Sequence, residues 1–297
     1  MNEYMAEELE SQPRLWARAA ELGAASRILP EAGQRVAVVG CGTSWFMAQA
    51  YAALREDAGH GVTDAFTASE ARLERGYDVV VAITRSGTTS EVLDLLRDVP
   101  GSPRVIGIVG SEDSPLTPLT DDRIALPFAD ERSVVQTRFA TSTLALLRAS
   151  LGEDLGTVVA DGERALSLPL MAGAIHADQI TFLGTGWTIG LAHEAALKMR
   201  EASQSWTESY TAMEYRHGPI SIAAPGRVTW VFGPTPVGLA ETVEATGALL
   251  IESDLDPMAD LVLAQRVALE RARRRGLDAD LPRNLTRSVI LEPAVGL

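Results

Sequence analysis

The sequence has little with which to make covalent or metal cross-links. One cysteine, Cys41, excludes an internal disulfide and any cysteine-built zinc cage. His60, His176 and His193 are scattered, with no ligand spacing to acids, so they read as structural or surface residues and no metal is expected. No apolar run reaches the ~18 residues that a membrane span needs. The opening MNEYMAEELESQPRLW is acidic and helical rather than basic and then apolar, unlike a secretory leader. A soluble, cytoplasmic protein without membrane contact is the expectation. Cations are also in deficit: 26 Lys and Arg against 40 Asp and Glu leave a net charge of −14. Nucleic acid is therefore not an expected partner, because phosphate backbones are held by clustered cations. The RARRR run at 271–275 reads as the solvated end of a helix. Neither the Walker phosphate loop nor the dinucleotide fingerprint occurs, which argues against NTP and NAD, and no organic cofactor is called for.

What is present is a core-forming apolar content, 46% of 297 residues, arranged in a repeated pattern. Residues 3–29 read as one or two helices. RVAVVG at 35–40 is a buried strand, followed by CGTSW and a helix, FMAQAYAALRED. Residues 78–99, DVVVAITRSGTTSEVLDLLRDV, repeat strand, polar turn and helix. Further strands are expected at 104–111 and 123–128, and a helix at 137–152. The second half restarts with QITFLGTGW at 179–187, then strands at 227–234 and 248–253 and a last long helix at 258–276. Strands alternating with helices imply parallel, doubly wound α/β sheets. The likeness of VAVVGCGTSW to ITFLGTGWTI implies two similar halves in tandem, each a three-layer αβα unit. The join is expected near LGEDLGTVVADGERALSL, giving 1–155 and 156–280. The tryptophans, Trp187, Trp206 and Trp230 among them, read as core.

Two turns in the first half suit an anion. In GCGTS, the glycines let backbone approach a ligand, Gly42 among them, while Thr43 and Ser44 offer hydroxyls at a helix start. TRSGTTS adds Thr84, Ser86, Thr88 and Thr89 around Gly87 at the same end of a neighbouring strand. Arg85 can lend charge, point to solvent or form a salt bridge. Ordinary loops also contain such clusters. Cys41 reads as a small residue at a tight turn rather than a nucleophile, since no base stands near it in the sequence.

A third stretch, Glu194 to Pro219, carries ionisable groups. Read as one helix with no Gly or Pro before Gly218, it places Glu194, Lys198, Glu201, Ser205 and Glu208 on one face. His217 follows beside the Gly-Pro and supplies an imidazole, the side chain most often used to carry protons. A carboxylate base, a lysine and a histidine together suit proton transfer on a carbonyl compound. On spacing alone the stripe reads rather as a solvated face with i,i+4 ion pairs.

Taken together, GCGTS, TRSGTTS, EAALKMRE, EYRHGP and PRNLTRS, in that order, resemble the double sugar-isomerase (SIS) family. The likeness is greatest to the isomerase half of glutamine:fructose-6-phosphate amidotransferase and to stand-alone amino-sugar-phosphate deaminases and isomerases. The resemblance implies a phosphosugar enzyme whose phosphate is held by Ser44, Thr84, Arg85, Ser86 and Thr89. It implies Glu201 as the base between C1 and C2, His217 as the ring-opening histidine supplied by the partner of a homodimer, and Lys198 and Glu194 as supporting groups. Residues 281–297 become an active-site tail. Two departures follow. No glutaminase domain is expected, since residue 2 is Asn where such a domain would present its cysteine, so glutamine is not the expected nitrogen source. Arg287 stands where the family has a Schiff-base lysine, and a guanidinium cannot serve as that amine. The expected chemistry is isomerisation with deamination of an amino-sugar phosphate. Elimination on an N-acylated sugar, with Arg287 binding the acyl oxygen or a hydroxyl, plain aldose-ketose isomerisation and non-catalytic sensing are the alternatives. The stretch before residue 35 is acidic and too short for a DNA-binding module.

Overall fold

A computed structural model describes residues 2–291; residues 292–297 of the expected tail lie outside the described residues. The chain opens with α1 (Glu3–Glu10) and α2 (Gln12–Ala25). The first sheet unit follows: β1 (Val36–Gly40), α3 (Thr43–Asp57), β2 (Thr63–Thr67), β3 (Val79–Thr84), α4 (Ser90–Arg97), β4 (Arg104–Val109), β5 (Asp122–Ala125) and α5 (Arg138–Ser150). The second comprises α6 (Gly156–Ser167), α7 (Ala172–His176), β6 (Gln179–Gly184), α8 (Thr188–Ser203), β7 (Trp206–Thr211), β8 (Arg227–Phe232), α9 (Leu239–Glu244), β9 (Leu249–Ile251) and α10 (Pro257–Arg274). The expected join is thus occupied by helix α6.

Both sheets are parallel throughout. Their strand orders are β2-β1-β3-β4-β5 and β7-β6-β8-β9. The first four strands of one match the four of the other in winding, which is the expected tandem of similar halves. Strands β1, β3 and β6 are buried along their whole length, because helices cover both faces of a parallel sheet. The chain reverses direction of winding between β1 and β3, and the turns after these two strands meet at that switch point. Ligands of doubly wound sheets bind there.

One continuous apolar core runs through both halves and includes Trp16, Met47, Phe139, Phe182, Leu191, Trp230 and Leu261. Its polar pegs are paired: Trp16 Nε1 donates to Thr141 Oγ1 at 2.9 Å and Trp230 Nε1 to Asp260 Oδ2 at 3.0 Å. Helices α3 and α8 join the halves at Gly190, where a Cβ would come within 2.3 Å of the Phe46 carbonyl oxygen. Only a residue without a side chain admits that approach.

Three sequence expectations are corrected. The helix from Glu194 stops at Ser203, because Gln204 adopts a left-handed cap (φ 52°, ψ 34°), a place usually marked by glycine. Ser205 and Glu208 therefore leave the stripe, and Glu208 lies on β7. The edge strand β2 was not expected; its alternating polar sequence, TDAFT, gives no apolar run to detect. Trp206 is 55% exposed on edge strand β7, its ring under the Arg227 guanidinium at 5.5 Å, rather than in the core.

Candidate active site

Helix α8 is rich in strong helix formers, and its i, i+4, i+7 face points inward. Glu194 and Lys198 are buried (0% and 1% exposed) and Glu201 is partly open. The Lys198 ammonium lies 3.5 Å from Glu194 Oε1 and also contacts Glu201 Oε2. The buried reading of the stripe, not the solvated one, is therefore the observed one. Lys198 is also the single lysine of the sequence. Burial raises the Glu194 carboxyl to about 8, with Lys198 opposing the shift and Glu201 adding to it. Burial alone would lower the Lys198 pKa, but the carboxylates of Glu194 and Glu201 reverse this and raise it. Glu201 opens into a cavity of about 430 Å³ shared with Arg200, Gln204 and, from the tail, Arg283, Asn284 and Leu285.

The second component is the hydroxyl cradle at the β1/β3 switch point. Ser44, Thr84, Arg85, Ser86, Thr89 and Arg287 line one small cavity together with Cys41 and Gln136. Gly42 caps α3 at φ 54°, ψ −125°, which only glycine adopts readily, and so turns the chain from β1 into the helix. Thr43 is buried behind the cradle and lies beside Glu194, where it holds the carboxyl pKa lower. First and second halves therefore meet at this point.

Arg85 does not offer a free charge to the cradle. Its Nη1 lies 3.4 Å from Glu131 Oε2, with both side chains buried, and its other donors reach the carbonyls of Ser133, Val134 and Arg287. Of the readings open to it, the salt bridge is the one observed. Glu131 also accepts from Thr137 Oγ1 at 3.0 Å and Arg138 N at 2.8 Å, which fixes the 130–137 loop. Arg287 is likewise paired, with its Nη2 2.5 Å from Asp130 Oδ1. With both cations matched by carboxylates, the groups the cradle leaves for a ligand are hydroxyl and backbone donors. Burial raises the Cys41 thiol pKa, which disfavours the thiolate that a nucleophile needs.

His217 is not brought to this site within the chain. It is exposed on a 3₁₀ turn, Glu214–His217, and lines neither the Glu201 cavity nor the cradle. His193, half-buried, shares a 2.9 Å hydrogen bond with Ser209 and packs on Phe46, which is a structural role. Sequence reading missed Glu131, Gln136 and Ser288. Glu131 and Gln136 belong to an irregular loop with no motif, and Ser288 reaches the cradle from 202 residues beyond Ser86. Another cavity, about 570 Å³ between α2 and the start of α6, is lined mainly by alanines and three acids and brings together none of these groups.

Comparison with known proteins agrees with this geometry. Residues 28–151 match the model of the SIS domain. Curated relatives include glutamine-fructose-6-phosphate aminotransferase (isomerizing) from Nostoc sp., 28% identical over 87% of this chain and 52% of the relative. The enzyme of that name from Aeropyrum pernix is 29% identical over 97% and 57%. The chain thus spans about half the length of the curated relatives it matches. Among solved structures, glucosamine-6-phosphate deaminase from Thermotoga maritima superposes with TM-score 0.79 over 96% of this chain and 99% of its own, at 24% identity. Tagatose-6-phosphate ketose/aldose isomerase from Escherichia coli superposes with TM-score 0.77 at 19% identity, over 98% and 97%. The hydroxyl-lined switch point lies within the segment that matches the SIS domain, and the chain as a whole is similar to sugar-phosphate isomerases and aminotransferases.

Proposed function

We propose that the chain is a double-SIS phosphosugar enzyme that removes the C2 proton of an open-chain amino-sugar 6-phosphate. The observation that carries this reading is the arrangement at Glu201: a carboxylate open to a cavity and held from behind by a buried ammonium, with the tail running from that cavity to a hydroxyl cradle. Glu201 takes the proton from C2 and the electron pair moves to C1–O, forming an enolamine. Returning the proton to C1 leaves an imine at C2. Water hydrolyses it, releasing ammonia and a ketose phosphate. The names of the curated relatives and the deaminase-like fold support a substrate of this class. Ser44, Thr84, Ser86 and Thr89 donate hydrogen bonds to the phosphate, while His217 opens the ring from the partner of a homodimer.

A second reading is favoured by one observation. Arg287 replaces an amine, and the only lysine is buried between two carboxylates, so no imine forms between protein and substrate. If the substrate nitrogen is acylated, the C2 carbanion instead expels the 3-hydroxyl and an unsaturated sugar results. Proton NMR in D2O distinguishes the two. Glucosamine 6-phosphate should lose its C2 proton signal and release ammonia, and Glu201→Gln should slow this by about two to four orders of magnitude while keeping ligand affinity. Exchange at the wild-type rate in that variant would refute the role of Glu201. Conversion of the N-acetyl compound to an unsaturated product would select elimination.

A further inference from the structure

The hydroxyl of Ser288 lies 3.1 Å from Ser86 Oγ, 2.9 Å from Thr88 Oγ1 and 3.4 Å from Thr89 Oγ1. It stands at the common focus of three hydroxyls, where an oxygen of a bound phosphate would take its donors. The adjoining main chain is bonded to the same region. Ser90 N, at the start of α4, donates to the Val289 carbonyl at 3.1 Å, and Leu291 N donates to Ser90 Oγ at 2.8 Å. Arg85 Nη2 donates to the Arg287 carbonyl at 2.9 Å. A phosphate is chiefly an acceptor and needs the Ser86, Thr88 and Thr89 hydroxyls turned toward it. At these spacings Ser288 and a phosphate oxygen cannot share the focus.

How the segment is held matters equally. Val289, Ile290 and Leu291 are 50%, 69% and 58% exposed, so hydrophobic burial contributes little to its seating. Hydrogen bonds do the holding, and a charged ligand can replace them with stronger ones. Arg287 keeps a separate anchor on Asp130, outside the hydroxyl focus. We propose that residues 287–291 form a strap seated in the cradle, with Ser288 as the group that phosphate must displace and Arg287 as the fixed end from which the strap lifts. The proposal rests on the phosphosugar reading above and adds a competing occupant to the same site.

The test uses the full chain with inorganic phosphate and glucosamine 6-phosphate as probes, binding being followed by calorimetry and strap position by thermolysin cleavage before Val289, Ile290 or Leu291. Ser288→Ala should bind inorganic phosphate about three- to ten-fold more tightly than wild type, since one competing hydrogen-bonded group is gone. Phosphate should accelerate thermolysin cleavage within residues 288–291 in the wild-type chain. Weaker binding by Ser288→Ala would make Ser288 a ligand of the phosphate and overturn the proposal. So would unchanged affinity, or cleavage that phosphate slows or leaves alone. In each of those cases wild-type binding persists and the phosphosugar reading stands. If neither probe bound to wild type or variant, that reading would fall, and the strap with it.

Discussion

Asp260 shows how one buried carboxyl ties packing to pH. It is 1% exposed and accepts from Trp230 Nε1, but burial dominates and raises its pKa to about 7. An unfolded aspartate titrates near ~3.9. Between these values the folded protein holds a proton that the unfolded chain releases, so this contribution is fully present below about pH 4 and is lost as pH rises through 7. The loss amounts to roughly 4 kcal/mol. Asp260→Asn keeps an acceptor for the indole and cannot ionise. Its stability advantage over wild type, followed by urea denaturation, should grow between pH 4.5 and pH 8; a gap independent of pH would show that the carboxyl is not shifted. Glu194 shares the sign of this shift, but there the nearby ammonium of Lys198 offsets part of the penalty.

At the scale of elements, the contact of α3 with α8 sets the site, because α3 begins at the cradle and α8 carries the carboxylates. Gly190 lets the two backbones approach until a Cβ would overlap the Phe46 carbonyl. Gly190→Ala should cost about 1–3 kcal/mol, the usual range for overpacking a filled core. The urea midpoint should fall with an unchanged slope. Turnover should fall more than stability alone accounts for, since Thr43 would be moved away from Glu194. Full turnover at temperatures well below the melting transition would mean that the contact supports the fold only. The polar loop at 130–137 acts in the same way through Glu131, which holds Arg85 against the cradle.

For the whole molecule, His217 lies on an exposed turn outside the Glu201 cavity, so the proposed role for it depends on a second copy of the chain. Glu201→Gln and His217→Ala should each be inactive alone. After unfolding and refolding together in equal amounts, hybrid dimers would carry one intact site of two, and about a quarter of wild-type activity should return. Recovery of none, with dimers verified by light scattering, would place His217 outside the shared site. Among the described residues no helix is long and apolar enough to cross a membrane.

Local composition was enough to reveal the alternation of strands and helices, the tandem halves and the hydroxyl-rich turns after β1 and β3. Each is written in a few adjacent residues, as apolar runs of Val and Ile or as Gly, Ser and Thr at strand ends. The spacing of Glu194, Lys198 and Glu201 likewise set their shared face, because one helix fixes it. Tertiary structure decided the rest. The end of α8 turned on Gln204, whose left-handed conformation no residue type announced. The pairing of Arg85 with Glu131 and the seating of Ser288 among Ser86, Thr88 and Thr89 join residues far apart in the chain. Burial around Glu194, Lys198 and Asp260, which sets their charge, depends on neighbours from several elements at once. Periodicity records which way a side chain faces, and only the assembled fold determines what it meets.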